Sequence, residues 1–144
     1  MSIAVELPKL ADTLARYRFA YLLTSSAPGA APHAVAVSAR LQDGVLLIDG
    51  AGRRTRDNAQ QRPAVGLVWP PAEVSEYSLI VDGQAAVDGE RLRITPTRAV
   101  LHRPAPPSAQ PAAPGRCGAD CVELAFDTAT TGSTVASGLV QQRP

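Results

Sequence analysis

The sequence has few of the residues on which metal, thiol or nucleic-acid chemistry depends. Among 144 residues there are two cysteines, two histidines and six aromatic side chains. Cys117 and Cys121 stand without a second pair or a nearby histidine, which makes a poor zinc site, so we assign no metal and interpret them as reduced thiols. A redox-sensitive pair is the alternative. Six aromatic residues give little material for stacking nucleic-acid bases.

Long apolar segments and an excess of one charge are also absent. No apolar run approaches the roughly 18 to 20 residues that cross a bilayer, and the N-terminus lacks the basic start and apolar stretch of a signal peptide. With 14 basic and 13 acidic side chains, the chain has no overall attraction for nucleic acid or an anionic membrane. We therefore expect a cytoplasmic protein that binds neither, and in which any anion site is local.

Two common catalytic motifs are missing as well. No Gly-x-Ser-x-Gly elbow occurs, which argues against serine hydrolase chemistry. The segment GAGRRTR at 50–56 has no lysine-serine ending and so is not a P-loop.

The pattern of apolar residues predicts a mainly β domain with one helix at its start. Apolar residues recur at helical spacing over 8–17, and short runs of strand formers separated by turn residues follow. One of them, 33–41, alternates as a half-buried strand, and Asp43 with Gly44 suits a tight hairpin turn after it. Asp82 and Gly83 interrupt a later strand as either a bulge or a hairpin. The predicted strands are 19–24, 33–41, 45–49, 64–69, 78–87, 90–102 and 121–126.

The domain organisation follows from length and composition. A chain of 144 residues suits a single core. We assign 1–127 to one antiparallel β domain that is closed or sandwiched, with 104–114 as a proline-rich loop within it. The segment 128–144 is small and polar and is assigned as a tail.

An arginine-rich turn between two strands is the strongest functional signal. Arg53, Arg54 and Arg56 follow Gly50 and Gly52, where the backbone can approach a ligand closely. Guanidinium groups form paired, charge-assisted hydrogen bonds with phosphate oxygens. The Thr55 hydroxyl could cap a short helix ending near Gln61, whose amides would face an anion. The segment therefore predicts a phosphate site, with a solvated arginine-rich connection as the alternative.

The order of these segments resembles the pyridoxamine 5'-phosphate oxidase-like family of flavin-binding split β-barrels. The resemblance rests on PHAVAV, DGVLLIDGAG, RRTRDNAQQRPAVGLVW, YSLIVDGQAAV and ITPTRAVLHRP, and covers about 14–126. Its most specific part is the basic turn with Arg56 and Asn58, followed by Pro63 and Val65. The resemblance implies a six- to seven-stranded antiparallel split barrel with an N-terminal helix and a short helix after the arginine turn.

The resemblance also implies a cofactor and the residues that hold it. Family members are usually homodimers that bind FMN, or in some branches the deazaflavin coenzyme, at the subunit interface. By that resemblance the phosphate contacts the basic turn, and the strand from His33 to Ser38 lies along the ring. The implied cofactor-binding residues are His33, Val35, Ala36, Val37, Ser38, Arg53, Arg54, Thr55, Arg56 and Asn58, to which we add Trp69 as a possible wall of the site.

Two of these candidates have an ordinary structural alternative. His33 opens a strand, where a histidine is commonly a surface or hydrogen-bonded residue. Trp69 precedes a double proline, and packing at a barrel rim would explain it equally. The family's usual lysine three residues before the asparagine is replaced here by Thr55, which leaves open which arginine takes its part.

The predicted function is hydride transfer between a flavin or deazaflavin and a small organic substrate. The basic and histidine residues with which pyridoxamine 5'-phosphate oxidase holds its own substrate are not evident near the C-terminus, which argues against that reaction. No catalytic acid or base is assigned, because the cofactor would carry the chemistry. The alternative is a non-enzymatic protein that binds flavin or haem for storage or sensing.

Overall fold

The fold is a strongly curled antiparallel sheet with two helices. The computed structural model describes residues 7–104 and 120–124. The helices are α1 (Leu7–Leu14) and α2 (Arg53–Gln61). The strands of the described ranges are β1 (Ala20–Thr24), β2 (His33–Val37), β3 (Ala39–Gln42), β4 (Val45–Ile48), β5 (Ala64–Trp69), β6 (Ser78–Asp88), β7 (Arg91–Arg103) and β8 (Asp120–Leu124).

The sheet order explains how the barrel splits. Seven strands run β2-β1-β5-β6-β7-β4-β3, and β8 pairs with the far half of β7. β2 and β3 lie at opposite ends of this path although only Ser38 separates them in the chain. The chain therefore bends at Ser38 and passes from the β1 edge to the β4 edge. This is the mainly β split barrel that the sequence predicts.

Alternating side chains fill the interior. On β1, Ala20, Leu22 and Thr24 point inward and are buried, and Leu67 and Leu79 meet them from β5 and β6. α1 contributes Leu10, which is 1% exposed, because its apolar residues recur at helical spacing. A large apolar cluster of this kind is the main source of stability for a domain of this size.

The register shift between β6 and β7 at Asp82 and Gly83 is a bulge. Asp82 pairs with Arg98 and Gly83 with Pro96, so Thr97 is the extra residue on β7. The Thr97 hydroxyl donates to the Asp82 carbonyl oxygen at 3.2 Å. A Cβ at Gly83 would lie 2.6 Å from Ile94 Cγ2 and 2.8 Å from the Thr95 carbonyl oxygen, so only glycine fits there. Of the two interpretations of Asp82 and Gly83, the bulge is therefore correct.

Three predicted elements differ from the structure by more than a one-residue shift within the part of the chain before β5. The helix predicted over 8–17 ends at Leu14. The backbone hydrogen bonds after it form a turn, in which the Tyr17 N–H donates to the Leu14 carbonyl oxygen at 3.0 Å. The strand predicted over 33–41 is two strands, because the chain bends at Ser38. α2 begins at Arg53, two residues before the predicted cap. The predicted hairpin turn at Asp43 and Gly44 is confirmed, with φ of 50° and 76°.

Several predictions concern segments that lie partly or wholly outside the described residues. The polar tail 128–144, Cys117 and all of the proline-rich loop after Pro104 lie outside the described residues. Within the described ranges, neither helix is long and apolar enough to span a membrane.

Candidate functional site

A cleft opens where the barrel splits. It lies between β2, the bend at Ser38, the end of β4 and the start of α2, and its volume is about 600 Å³. Clefts of ~300–1,000 Å³ are the usual size for small-molecule sites. The lining residues are His33, Val35, Ala36, Val37, Ser38, Arg40, Ile48, Asp49, Gly50, Ala51, Gly52, Arg53, Arg54 and Thr55.

The start of α2 makes one end of the cleft cationic. Gly52 is the N-cap in an extended conformation, and the first helical bond runs from Arg56 N–H to the Gly52 carbonyl oxygen at 3.0 Å. The amides of Arg53, Arg54 and Thr55 therefore precede the helical bonds and have no acceptor within the helix. In the described part of the chain, neither the Arg53 nor the Arg54 guanidinium pairs with a carboxylate. Free amides, the helix dipole and two guanidinium groups together suit an anion.

Thr55 does not cap the helix, contrary to the sequence prediction. Because α2 starts at Arg53, Thr55 lies inside the first turn. The N-cap residue is Gly52, and no side-chain hydrogen bond caps this end of the helix within the described residues. The Thr55 side chain is buried, with its hydroxyl oxygen 3.3 Å from His33 Nε2. This contact joins β2 to α2 across the cleft and keeps two hydrogen-bonding groups beside the free amides.

β2 supplies the apolar wall. Val35 and Val37 are half-buried and pack against the core, while Ala36 and Ser38 are exposed. Opposite them the small residues Gly50, Ala51 and Gly52 leave room for a ligand. A flat apolar ring would find a hydrophobic surface here beside the cationic end.

An ion-paired carboxylate forms the second polar part of the cleft. Asp49 accepts from Arg40 Nη2 at 2.8 Å and from Arg91 Nε at 2.5 Å. These hydrogen bonds, that of Arg40 first and that of Arg91 second, lower the pKa of Asp49 below its ordinary value of 3.8. The Asp49 pairing in turn raises the pKa of Arg91. The triad links β3, the end of β4 and the start of β7 around the mouth of the cleft.

The structure divides the predicted site residues into two groups. Eight of the predicted residues line the cleft: His33, Val35, Ala36, Val37, Ser38, Arg53, Arg54 and Thr55. Arg56, Asn58 and Trp69 are not among its lining residues. The Arg56 guanidinium donates to the Ala51 carbonyl oxygen at 3.0 Å and lies 3.6 Å from the Glu90 carboxylate.

Asn58 and Trp69 make contacts within the fold and not with the cleft. Asn58 is buried and donates from Nδ2 to the Thr24 hydroxyl at 3.1 Å, which ties α2 to β1. Trp69 is 3% exposed and belongs to the core cluster, in keeping with the packing alternative. Neither side chain reaches the cleft wall.

Sequence reasoning missed Arg40 and Asp49. The bend at Ser38 carries Arg40 to the mouth of the cleft, and that bend cannot be read from an alternating pattern. Asp49 stands next to Gly50 at the end of a strand, which resembles an ordinary turn. Its place before a glycine-flanked arginine cluster is the one signal that could have indicated it.

Comparison with known proteins supports a common fold and a common family. No family model matches the chain. Two curated proteins, "Uncharacterized protein Mb0449c" of Mycobacterium bovis and "Uncharacterized protein MT0457" of Mycobacterium tuberculosis, are each 42% identical over 134 residues. The match covers 82% of this chain and 93% of each relative.

Solved structures agree with the fold. A candidate pyridoxamine 5'-phosphate oxidase of Listeria innocua has a TM-score of 0.55 at 15% identity, covering 66% of this chain and 96% of its own. HupZ of Group A Streptococcus has a TM-score of 0.56 at 15% identity, and the match covers 65% of this chain and 91% of HupZ. A protein named F420 reductase has a TM-score of 0.50 at 17% identity, and the match covers 61% of this chain and 93% of that protein.

The chain belongs to one family with the two mycobacterial proteins, and its fold is that of the pyridoxamine 5'-phosphate oxidase-like split barrels. The resemblance noted in the sequence is thereby confirmed at the level of fold.

Proposed function

We propose that the protein binds a phosphorylated flavin or deazaflavin in the cleft and uses it to transfer hydride to or from a small organic substrate. The observation that carries the proposal is the meeting of two features: the free amides and arginines at the start of α2, and the apolar wall of β2. A phosphate would bind at the first and a planar ring at the second. Two proteins of the same fold carry the names pyridoxamine 5'-phosphate oxidase and F420 reductase, which supports an oxidoreductase function.

The residues of the cleft fit such a ligand chemically. Arg53 and Arg54 carry exposed guanidinium groups without carboxylate partners in the described part of the chain, so a phosphate would not have to displace an ion pair. Thr55 adds a hydroxyl beside the amides. The glycines on either side of Ala51 keep side chains out of the space between the cation end and β2.

The protein's own part in the reaction would be binding and orientation. A bound flavin or deazaflavin supplies a ring that accepts or donates hydride. Arg53 and Arg54 would hold the phosphate, and Val35 and Val37 would keep water from one side of the ring. No acid or base of this chain is assigned a role. The reacting substrate would be a small organic molecule.

We further propose that the protein is a two-fold dimer and acts in the cytoplasm. The cleft is open on one side. Phe19, immediately before β1, and Tyr21, on β1, are exposed large apolar side chains in edge-to-face contact, with ring centroids 5.3 Å apart. A second copy that covered exposed apolar surface and an open cleft would remove both from water.

The test of the binding proposal is a spectroscopic titration with FMN and with riboflavin, which lacks the phosphate. Replacing both Arg53 and Arg54 by alanine should weaken FMN by at least roughly ten- to a hundredfold, since one charge-assisted contact is worth about 1.5–3 kcal/mol. Riboflavin should be affected far less. Arg62→Ala, at the other end of α2, is the matched control and should bind both ligands as the wild type does.

Further titrations separate the alternatives. The deazaflavin coenzyme and haem are tested against the same variants, and reduction by NADPH or by reduced deazaflavin is followed without oxygen. Binding without turnover would favour the storage or sensing function. Equal losses of affinity for FMN and riboflavin would contradict a phosphate contact. If the wild type bound none of the ligands, the arginine-rich segment would be a solvated connection between two strands.

A further inference from the structure

We propose that Arg56 and Glu90 together position the phosphate-binding loop, and that Arg56 is not itself a phosphate ligand. The loop comprises Asp49, Gly50, Ala51 and Gly52. The inference rests on the proposed function, because it concerns how the same cleft is prepared for an anion. It assigns a positioning role to the one arginine of the cluster that does not line the cleft.

The contacts form a closed ring around Ala51. The Ala51 N–H donates to the Glu90 carbonyl oxygen at 2.9 Å. The Ala51 carbonyl oxygen accepts from Arg56 Nη1 at 3.0 Å, and the same Nη1 lies 3.6 Å from Glu90 Oε1. Both backbone groups of Ala51 are thus fixed, one by the turn between β6 and β7 and one by α2.

The loop has few other means of holding its shape. Gly50 has φ of 68°, and neither Gly50 nor Gly52 has a side chain that could anchor the backbone. Among the residues that the structure describes, the side-chain ties of the loop outside the Ala51 ring are the ion pairs of Asp49 with Arg40 and Arg91. Because Gly52 is the N-cap of α2, the Ala51 ring ties down the backbone immediately before the free amides. Preorganised donors bind an anion more tightly than donors that must be ordered on binding.

The position of Arg56 argues against direct contact with the ligand. Its side chain is 23% exposed and is turned toward Ala51 and Glu90. Arg53 and Arg54 are exposed and line the cleft. The three arginines therefore divide into two that meet the ligand and one that acts through the backbone.

Hydrogen exchange of the ligand-free protein tests the positioning directly. Arg56→Ala should speed exchange in a peptide covering the loop, with Ala51 the amide most affected, while peptides from β6 stay unchanged. Arg53→Ala is the matched control and should leave the loop protected. Arg56→Lys, which keeps a donor for the Ala51 carbonyl oxygen, should restore part of the protection. Equal loop exchange in wild type and Arg56→Ala would overturn the proposal.

Binding measurements then distinguish positioning from direct contact. Arg56→Ala should weaken FMN by roughly three- to tenfold, the value of one hydrogen bond, without changing the salt dependence of the affinity. Arg53→Ala should reduce that salt dependence, because it removes a charge that meets the phosphate. A reduced salt dependence in Arg56→Ala would contradict the inference.

Glu90→Ala tests the part of the proposal that concerns Glu90, by hydrogen exchange of the ligand-free protein. Glu90 Oε1 lies 3.6 Å from Arg56 Nη1 and the Glu90 side chain is 82% exposed, so loop exchange should speed up less than in Arg56→Ala. Loop exchange equal to that of the wild type would contradict a positioning role for Glu90. Should wild type bind no FMN, the proposed function fails, while the exchange experiment still decides whether Arg56 and Glu90 hold the loop.

Discussion

At the scale of the residue, identical side chains have different roles because their neighbours differ. Arg53 and Arg54 face the cleft, whereas Arg56, two residues further along the same helix, donates to the Ala51 carbonyl oxygen. Composition and spacing group the three arginines, but the start of α2 at Arg53 decides which of them line the cleft.

Asn58 should act on stability and not on phosphate recognition. Asn58→Ala leaves the buried Thr24 hydroxyl without its donor. We expect a loss of about 1–3 kcal/mol in the free energy of unfolding, measured by urea denaturation. FMN and riboflavin should lose affinity equally if at all. A loss confined to FMN in a fully stable variant would show that Asn58 contacts the ligand after all.

Asp49 should make stability depend on pH in the acid range. Its folded-state pKa is lowered by Arg40 and Arg91, so the ionised carboxylate stabilises the fold above its ordinary pKa of 3.8. This contribution is lost as the pH falls through the lowered folded-state pKa. The difference in Tm between wild type and Asp49→Asn should therefore be largest near neutral pH and shrink on acidification. A difference that stays constant down to about pH 2 would contradict the pairing.

At the scale of the element, local patterns predicted most strands and failed where tertiary contacts decide. The strand formers of β1 and the turn residues Asp43 and Gly44 are local signals, and both elements are found in the structure. The break at Ser38 occurs because the chain leaves the β1 edge of the sheet and joins the β4 edge. No local sequence pattern encodes this change of edge. Arg40 and Asp49 were missed for the same reason, whereas the residues of β2 and the arginine turn could be named in advance through the resemblance.

The bulge between β6 and β7 should be intolerant of any side chain at Gly83. In Gly83→Ala the new Cβ would meet Ile94 and the Thr95 backbone at under 3 Å, and overpacking of this kind costs about 1–3 kcal/mol. Gly66→Ala, in the adjacent strand β5, is the control, because its nearest contact would be 3.8 Å away. Thermal denaturation compares the two. Equal Tm values would mean that β7 can shift at the bulge at little cost.

At the scale of the whole molecule, the split of the barrel creates the cleft and leaves it open. β2 and β3, joined by the bend at Ser38, form the two ends of the sheet path, and α2 begins beside the bend with its free amides. The proposed dimer would cover Phe19 and Tyr21. Light scattering should then give twice the chain mass of 15.0 kDa at micromolar concentration. A measured mass equal to that of one chain would contradict the proposed dimer.

The most direct test of the central claim is the affinity of FMN relative to riboflavin, measured by titration in wild type and in the Arg53→Ala, Arg54→Ala double variant. We expect the wild type to bind FMN more tightly than riboflavin, and the double variant to lose most of this preference while its riboflavin affinity is nearly kept. An unchanged preference for FMN in the double variant would contradict a phosphate site at the start of α2.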